Sequence, residues 1–283
     1  MKNHFTNKKE ENLNDFQGLN SFQSIQRDFG LDKGFKSKKD LNIINISNVS
    51  GGYIAANNHV FDNIPNTVIT RRILTESIKG TPMIRVGNGD LGLMVVAGVH
   101  GNELPPQIAA IHLIHKLYKL SLNNKLDGTV YIIPFSIPKS TMLNSRWFNG
   151  ADLNRTTNVE GSLTNIIFKK IKELKLSSIG DFHSTAINSV PGKEGIFCTM
   201  RPSPESFHIG KYIADYTESE VLCYDNAGSA YKGALEDECN LEGIPSVTSE
   251  VLCPNGTADK ISYERSLEQM ESYLSYFKII SND

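Results

Sequence analysis

His100 and Glu103 stand three positions apart in Val95-Val96-Ala97-Gly98-Val99-His100-Gly101-Asn102-Glu103, where an apolar run breaks into a glycine-flanked turn. Imidazole nitrogen and carboxylate oxygen are both zinc ligands, and a catalytic zinc takes three protein ligands and keeps a fourth position open. Two ligands in one turn therefore require a third elsewhere. His183, in Gly180-Asp181-Phe182-His183-Ser184-Thr185, is the matching candidate because it too follows a short apolar run. A lone histidine is more often a capping or core residue. Set beside a His-x-x-Glu pair at another strand end, the ligand reading becomes the stronger one. Asp181, two residues earlier, falls on the same strand face, and a carboxylate there can orient a metal-ligating imidazole. His112 and His115 are three apart on an expected helix, but nothing nearby completes a site, so they read as helix surface. His4, His59 and His208 have no identifiable partners.

Two further segments carry chemistry. Arg146-Trp147-Phe148-Asn149-Gly150-Ala151-Asp152-Leu153-Asn154-Arg155 is a polar loop with an arginine at each end. A guanidinium grips a carboxylate at two points, and asparagine adds a directional donor. Near a metal site the loop suggests an anionic substrate; taken alone, an exposed loop with ordinary ion pairs is the simpler account. Glu250 lies within the apolar stretch Pro245–Leu252, where an unpartnered carboxylate is costly. It is either partnered or faces a cleft as a general base, the group a metallohydrolase needs to take a proton from attacking water.

These side chains must be positioned by strands and helices, and from about residue 65 the two alternate. Val68–Leu74 and Met83–Val86 read as strands, the second closed by Gly87-Asn88-Gly89-Asp90 as an early hairpin. Residues 91–99 form a nearly all-apolar strand of the parallel-sheet kind. The turn holding His100 and Glu103 follows at its carboxyl end, where open α/β sheets bind ligands. Pro105-Pro106 opens a helix to about Leu120, with Ile108, Ile111, Ile114 and Leu117 at helical spacing. Further strands are expected at Thr129–Phe135, Ser178–Phe182, Gly195–Met200, Glu220–Tyr224 and Pro245–Leu252. Helices are expected at Leu163–Leu174, Ser206–Thr217, Ala234–Glu242 and Lys260–Ile280. The alternation argues for an α/β fold with a mixed sheet.

Composition permits this and excludes little else. The chain has 283 residues, 39% hydrophobic and 21% charged, enough for a large core. A net charge of −2 gives no global field for nucleic acid or an anionic membrane, so neither partner is expected. No apolar run reaches the roughly 18 residues of a membrane span, and no hydrophobic signal core opens the chain. The four cysteines form no Cys-x-x-Cys pair, which fits reduced thiols in a cytoplasmic protein. Residues 1–40 are rich in Asn, Lys, Gln and Asp, with lysines largely offset by acidic residues, and read as a loosely docked extension. The expected division is an N-terminal extension of uncertain structure over 1–64 and a catalytic domain over 65–283.

His100-Gly-Asn-Glu103, Asp152-Leu-Asn154-Arg155, Asp181-Phe-His183-Ser-Thr185 and Glu250 occur in one order, and together they resemble the zinc carboxypeptidase superfamily, nearest its aspartoacylase and succinylglutamate desuccinylase branch. The resemblance covers about residues 90–255. It implies an eight-stranded mixed sheet flanked by helices, with one zinc per chain held by His100, Glu103 and His183. It implies Glu250 as general base and acid, on a strand after the Gly243-Ile-Pro245 turn. Asn154 and Arg155 would bind a substrate carboxylate, and Arg146 would polarise the scissile carbonyl and stabilise the oxyanion. Only 33 residues follow Glu250, so the β-rich C-terminal domain of aspartoacylases is expected to be missing, and with it the basis for inheriting an acyl specificity. Tyr224 and Tyr231 are placed either lining the pocket or in core or surface positions.

Three functions follow from these expectations. The first is a zinc-dependent, deacylase-like amide hydrolase acting on an N-acyl amino acid or another small anionic substrate. The second is a metallocarboxypeptidase acting on a peptide C-terminus. The third, from another class, is a catalytically silent zinc- or carboxylate-binding domain, which would be expected to lose the base or the arginines. This chain keeps Glu250, Arg146 and Arg155. Substrate identity and oligomeric state are not written in the sequence.

Overall fold

The computed structural model describes residues 41–281. Among them eight strands form one mixed sheet: β1 (Leu41–Ser47), β2 (Thr81–Gly87), β3 (Gly92–Ala97), β4 (Thr129–Ile133), β5 (Ser178–Thr185), β6 (Gly195–Arg201), β7 (Glu220–Asn226) and β8 (Ser246–Leu252), in the order β1-β2-β4-β3-β5-β8-β6-β7. The helices are α1 (Asn58–Phe61), α2 (Val68–Lys79), α3 (Leu104–Leu122), α4 (Pro138–Met142), α5 (Leu163–Glu173), α6 (Glu205–Thr217), α7 (Leu235–Leu241) and α8 (Lys260–Tyr276). The expected eight-stranded α/β architecture is the one present.

The middle of the sheet explains where chemistry can sit. β3 pairs in parallel with β4 on one side and β5 on the other, and β5 pairs in parallel with β8. The chain thus leaves β3 toward one side and returns on the other, which opens a crevice at the carboxyl edge of the strands. β3 and β5 are buried almost throughout, as their apolar sequences require. Met94 and Val96 of β3 and Ile179 of β5 meet Ile167 and Ile171 of α5 and Leu235 and Cys239 of α7 in one buried cluster. On the opposite face, Phe182 of β5 meets Tyr273 of α8 edge-on, and α8 packs against α3 and α6.

Three expectations are corrected. Val68–Leu74 is not a strand but the first two turns of α2. Its β-branched Val-Ile-Thr run favours strand locally, yet Thr67 caps the helix by accepting from the Thr70 amide, and Ile69, Ile73 and Ser77 bury one helical face. The early hairpin is not one either, because β4 inserts between β2 and β3. The antiparallel character comes instead from β1 against β2, β2 against β4, and β6 against β8. Finally, the sheet begins upstream of the expected boundary at residue 65: β1, over 41–47, is hydrogen-bonded to β2 along its length. The part of the expected extension over 1–40 lies outside the described residues. Cys198, Cys239 and Cys253 are buried and Cys223 is exposed, each as a free thiol. No helix among the described residues is long and apolar enough to cross a membrane.

Candidate active site

The turn after β3 is shaped by two glycines. Gly98 has φ +74°, a conformation that glycine adopts without strain. At Gly101 an added Cβ would lie 2.1 Å from the backbone carbon of Ser140, so only glycine lets the turn press against α4. The Gln107 side-chain amide donates to the Glu103 carbonyl at 2.7 Å, and the Thr141 hydroxyl donates to Gln107 Oε1 at 2.6 Å. The turn is thereby braced from α3 and α4 together.

Glu103 occupies the N-cap of α3 but its side chain caps nothing. An N-cap side chain normally accepts from the second or third amide of the helix. Here those positions are Pro105 and Pro106, which have no N–H. The carboxylate is left free and turns toward two histidines. Its Oε1 lies 2.8 Å from Nδ1 of His100, and its Oε2 lies 2.6 Å from Nδ1 of His183.

Each imidazole is held at its far nitrogen by another carboxylate. Nε2 of His100 is 2.9 Å from Asp152 Oδ1, and Nε2 of His183 is 2.9 Å from Asp181 Oδ2. The first contact is an aligned hydrogen bond; the second is an ion-pair approach in which the Asp181 oxygens receive no aligned donor. Asp181 reaches its partner as the strand alternation anticipates, two residues along one face of β5. A carboxylate near Nε2 favours a proton at that nitrogen, so that Nδ1 of each ring could give its lone pair to an ion in place of the proton it shares with Glu103. His100, Glu103 and His183 are all buried, and one ligand atom from each lies within 4.8 Å of the others. Two imidazoles and one carboxylate at this spacing, with outer carboxylates fixing the rings, fit a divalent metal ion that keeps an open position.

The electrostatics follow from this packing. Burial alone would raise the pKa of Glu103, but His100 and His183 outweigh it and hold the carboxyl well below its ordinary range. Burial likewise disfavours charge on His183, while Asp181 and Glu103 reverse the balance and raise its pKa. Asp152 is held low against its own burial by His100 and Arg146. Glu250 differs. Burial raises it first, the Glu103 and Asp181 carboxylates add to that, and His183 and Arg146 only partly offset the rise, leaving it near 8. It sits beside His183 in the β5–β8 register, and its Oε2 has no hydrogen-bond partner.

The loop between α4 and α5 brings the polar cluster to the same edge. Arg146 Nη1 donates to Glu103 Oε1 at 3.0 Å, and Nη2 donates to Asp152 Oδ2 at 3.0 Å. Asn154 Oδ1 accepts from the Leu235 amide at 3.0 Å, and its Nδ2 lies 3.4 Å from His183 Nε2. Arg155 is exposed, with its guanidinium 4.9 Å from the centre of the Tyr231 ring. Arg146, Asn154 and Arg155, with Glu250 and the two histidines, line one cavity. Every site residue expected from the sequence lines it except Asp181, which lies behind His183 with no exposure. Tyr231 lines the cavity; Tyr224 stacks on Phe197 behind it.

Two roles escaped the sequence reading. Asp152 holds His100, receives Arg146 and caps its own turn by accepting from the Asn154 amide at 3.1 Å. The Asp-x-Asn spacing, a self-capping pattern, was the available signal. Glu236 also lines the cavity from α7, and its place among three consecutive acids concealed it.

Residues 91–192 match the family model described as the succinylglutamate desuccinylase/aspartoacylase catalytic domain. The motif resemblance read from the sequence holds over that segment. No curated protein matches the chain. Among solved structures, a candidate metallopeptidase from Shewanella amazonensis SB2B is similar at 13% identity and TM-score 0.58, covering 93% of each chain. A succinylglutamate desuccinylase/aspartoacylase from Rhodobacter sphaeroides is similar at 16% identity and TM-score 0.54, over 71% of this chain and 60% of that one. A metallo-carboxypeptidase from Pseudomonas aeruginosa, in complex with (2-guanidinoethylmercapto)succinic acid, is similar at 14% identity and TM-score 0.55, over 70% and 61%. The chain thus spans about three fifths of the length of the last two. At these identities the likeness is one of fold: an α/β fold of the zinc-carboxypeptidase kind.

Proposed function

We propose that this protein is a zinc-dependent amide hydrolase acting on a carboxylate-bearing substrate, with N-acyl amino acids as the first substrate class. The single observation that carries the proposal is the convergence of His100, Glu103 and His183 with Glu250 at one sheet edge. His100, Glu103 and His183 are the zinc ligands, oriented by Asp152 and Asp181. Such an ion supplies Lewis-acid polarisation of the scissile carbonyl and acidifies the attacking water. Glu250 takes the proton from that water and returns it to the leaving amine. Its Oε2, buried and without a hydrogen-bond partner, is free to accept and return that proton. Arg146, fixed by Glu103 and Asp152, keeps its remaining donors for the oxyanion. Arg155, at the cavity mouth, anchors the substrate carboxylate with the Asn154 amide beside it.

A second reading, a metallocarboxypeptidase, is supported by the exposed Arg155 on the rim of the cavity, where the terminal carboxylate of a peptide could be met from outside. One experiment separates the two: purified protein is assayed for bound metal, then screened against N-acyl amino acids and short peptides. Release of a free amino acid from the first set alone supports deacylation, and release from the second supports the carboxypeptidase. A metal-loaded protein that turns over neither, yet binds carboxylates, would establish the silent binding domain instead.

A further inference from the structure

β6 and β7 run parallel at one end of the sheet, and their register sets Cys198 directly opposite Cys223. Residues opposite each other in register project from the same face of a sheet. Neighbouring strands lie about 4.8 Å apart, inside the span of about 4.4–6.8 Å between the Cα atoms of a disulfide. The two thiols already interact side chain to side chain. Cys239 lies on α7 and Cys253 just beyond β8, so neither has a cysteine opposite it.

The two sulfurs stand in unlike surroundings. Cys223 is exposed, because β7 is the last strand of the sheet and is solvent-facing along most of its length. Cys198 is fully buried, and α6 passes directly over it: a Cβ built at Gly210 would lie 3.0 Å from its sulfur. Burial is the first cause that pushes the Cys198 thiol up, and charge on Cys223 adds to the rise. Cys198 therefore stays protonated and shielded, and Cys223 is the sulfur a reagent meets first. Once Cys223 is capped, its charge no longer opposes ionisation of Cys198.

A pair of thiols can also hold a soft metal. Among the described residues, however, no third histidine, cysteine, aspartate or glutamate joins these two at ligand spacing. Nor does the proposed hydrolysis use either sulfur. Two adjacent thiols, one reachable and one waiting behind it, are instead the arrangement that closes a disulfide.

We propose that Cys198 and Cys223 are a modification site, joined as a reversible disulfide on reaction with a low-molecular-weight disulfide such as glutathione disulfide. The Cys223 sulfur, its proton lost to water, bonds to one sulfur of the reagent; the reagent's S–S bond breaks and one thiol leaves. Cys198 then loses its proton to water, attacks Cys223 Sγ and displaces the second reagent sulfur as a thiol. Each protein sulfur gives up one electron, and the two reagent sulfurs take up one each. Excess thiol runs both steps backwards.

The bond would lie behind the cavity wall. Successive residues of a strand face opposite sides, so the thiols sit under α6 while their neighbours Phe197 and Tyr224 face the other way. Those two rings stack with 6.1 Å between centroids, and both meet Tyr231, which lines the cavity with Phe197. The disulfide thus ties together the two strands that carry these rings.

The test is peptide mapping by mass spectrometry. Reduced protein is incubated with glutathione disulfide, its remaining thiols are blocked with N-ethylmaleimide after unfolding, and the peptides are identified. The expected result is a cross-link between the Cys198 and Cys223 peptides, with Cys239 and Cys253 recovered as blocked thiols. Dithiothreitol should return all four thiols. Cys198→Ser should hold one stable glutathione on Cys223, and Cys223→Ser should take up none at Cys198 over the same period. A glutathione that persists on Cys223 beside a free Cys198 in the unaltered protein overturns the proposal. So does a cross-link to Cys239 or Cys253, a bond between two chains through Cys223, or no reaction at Cys223. Mapping of the unaltered chain decides the matter even if a serine variant fails to fold.

Discussion

Oε2 of Glu103 lies 2.6 Å from Nδ1 of His183, although the two residues are 80 positions apart in the chain. The contact exists because β3 and β5 are parallel neighbours whose carboxyl ends stop at one edge. It makes metal binding and sheet register parts of one structure. Protein purified with zinc should therefore carry close to one ion per chain, and His183→Ala should lose most of it while remaining folded. Elemental analysis with circular dichroism decides the matter; full occupancy in His183→Ala would remove His183 from the ligand set.

Glu250→Gln separates base catalysis from structure. Glutamine is nearly isosteric and can hydrogen-bond, but it cannot take a proton from water. General base catalysis is commonly worth about a hundred- to ten-thousandfold. The variant should fold, keep its metal and lose turnover on that scale. Near-normal turnover would refute the assigned role, and unfolding would make Glu250 a structural partner.

Arg146 and Arg155 should differ in what they change. Arg155→Lys preserves charge but loses the two-point fork, so KM should rise with little loss of kcat. Arg146→Ala should lower kcat by on the order of a hundredfold, as removal of an oxyanion donor does. It should also weaken metal retention, because Arg146 supports both Glu103 and Asp152. Identical small effects from both substitutions would reduce the loop to surface.

The prolines that open α3 yield a test of their own. Pro106→Ala restores an amide at a position where an N-cap side chain can accept. Glu103 would then have a competing partner, and metal affinity should fall several-fold with secondary structure intact. Metal competition with a chelator, compared between the two proteins, measures it; equal affinities would show that the prolines serve only the helix.

Glu236 also leaves a signature in stability. Its folded-state pKa lies above the ordinary value of 4.5, so the folded chain holds this proton more tightly than the unfolded chain does. The stability it contributes is fully present below about pH 4.5 and is lost as pH rises. Glu236→Gln escapes that loss. The variant's melting temperature should match the parent's near pH 4 and exceed it near pH 8, and the reverse order would mean the buried carboxylate has a cation after all.

How far the sequence reached depends on the range over which each signal acts. The His100–Glu103 turn was legible because an apolar strand and a glycine turn are local patterns. His183 was legible because it ends a second such strand. α2 was misread because the β-branched residues Val68, Ile69 and Thr70 carry strand propensity, while the decisive Thr67 cap and the buried helical face need tertiary context. β1 was missed because Leu41–Ser47 owes its state to pairing with β2, some 40 residues on. Asp152 stood in a recognised motif, but its role at His100 depends on a contact 52 residues away, and Glu236 was hidden because burial, not residue type, gives it its meaning.

The close approach of Gly101 to Ser140 has a consequence for how the site meets its substrate. The turn bearing two inward-facing ligands is seated directly on α4, and the chain leaving α4 leads within a few residues to Arg146. Donor groups that might have drifted independently are thus keyed to one rigid step. A ligand entering the cavity finds the electrostatic template already assembled, and little of its binding free energy is diverted to rearranging it.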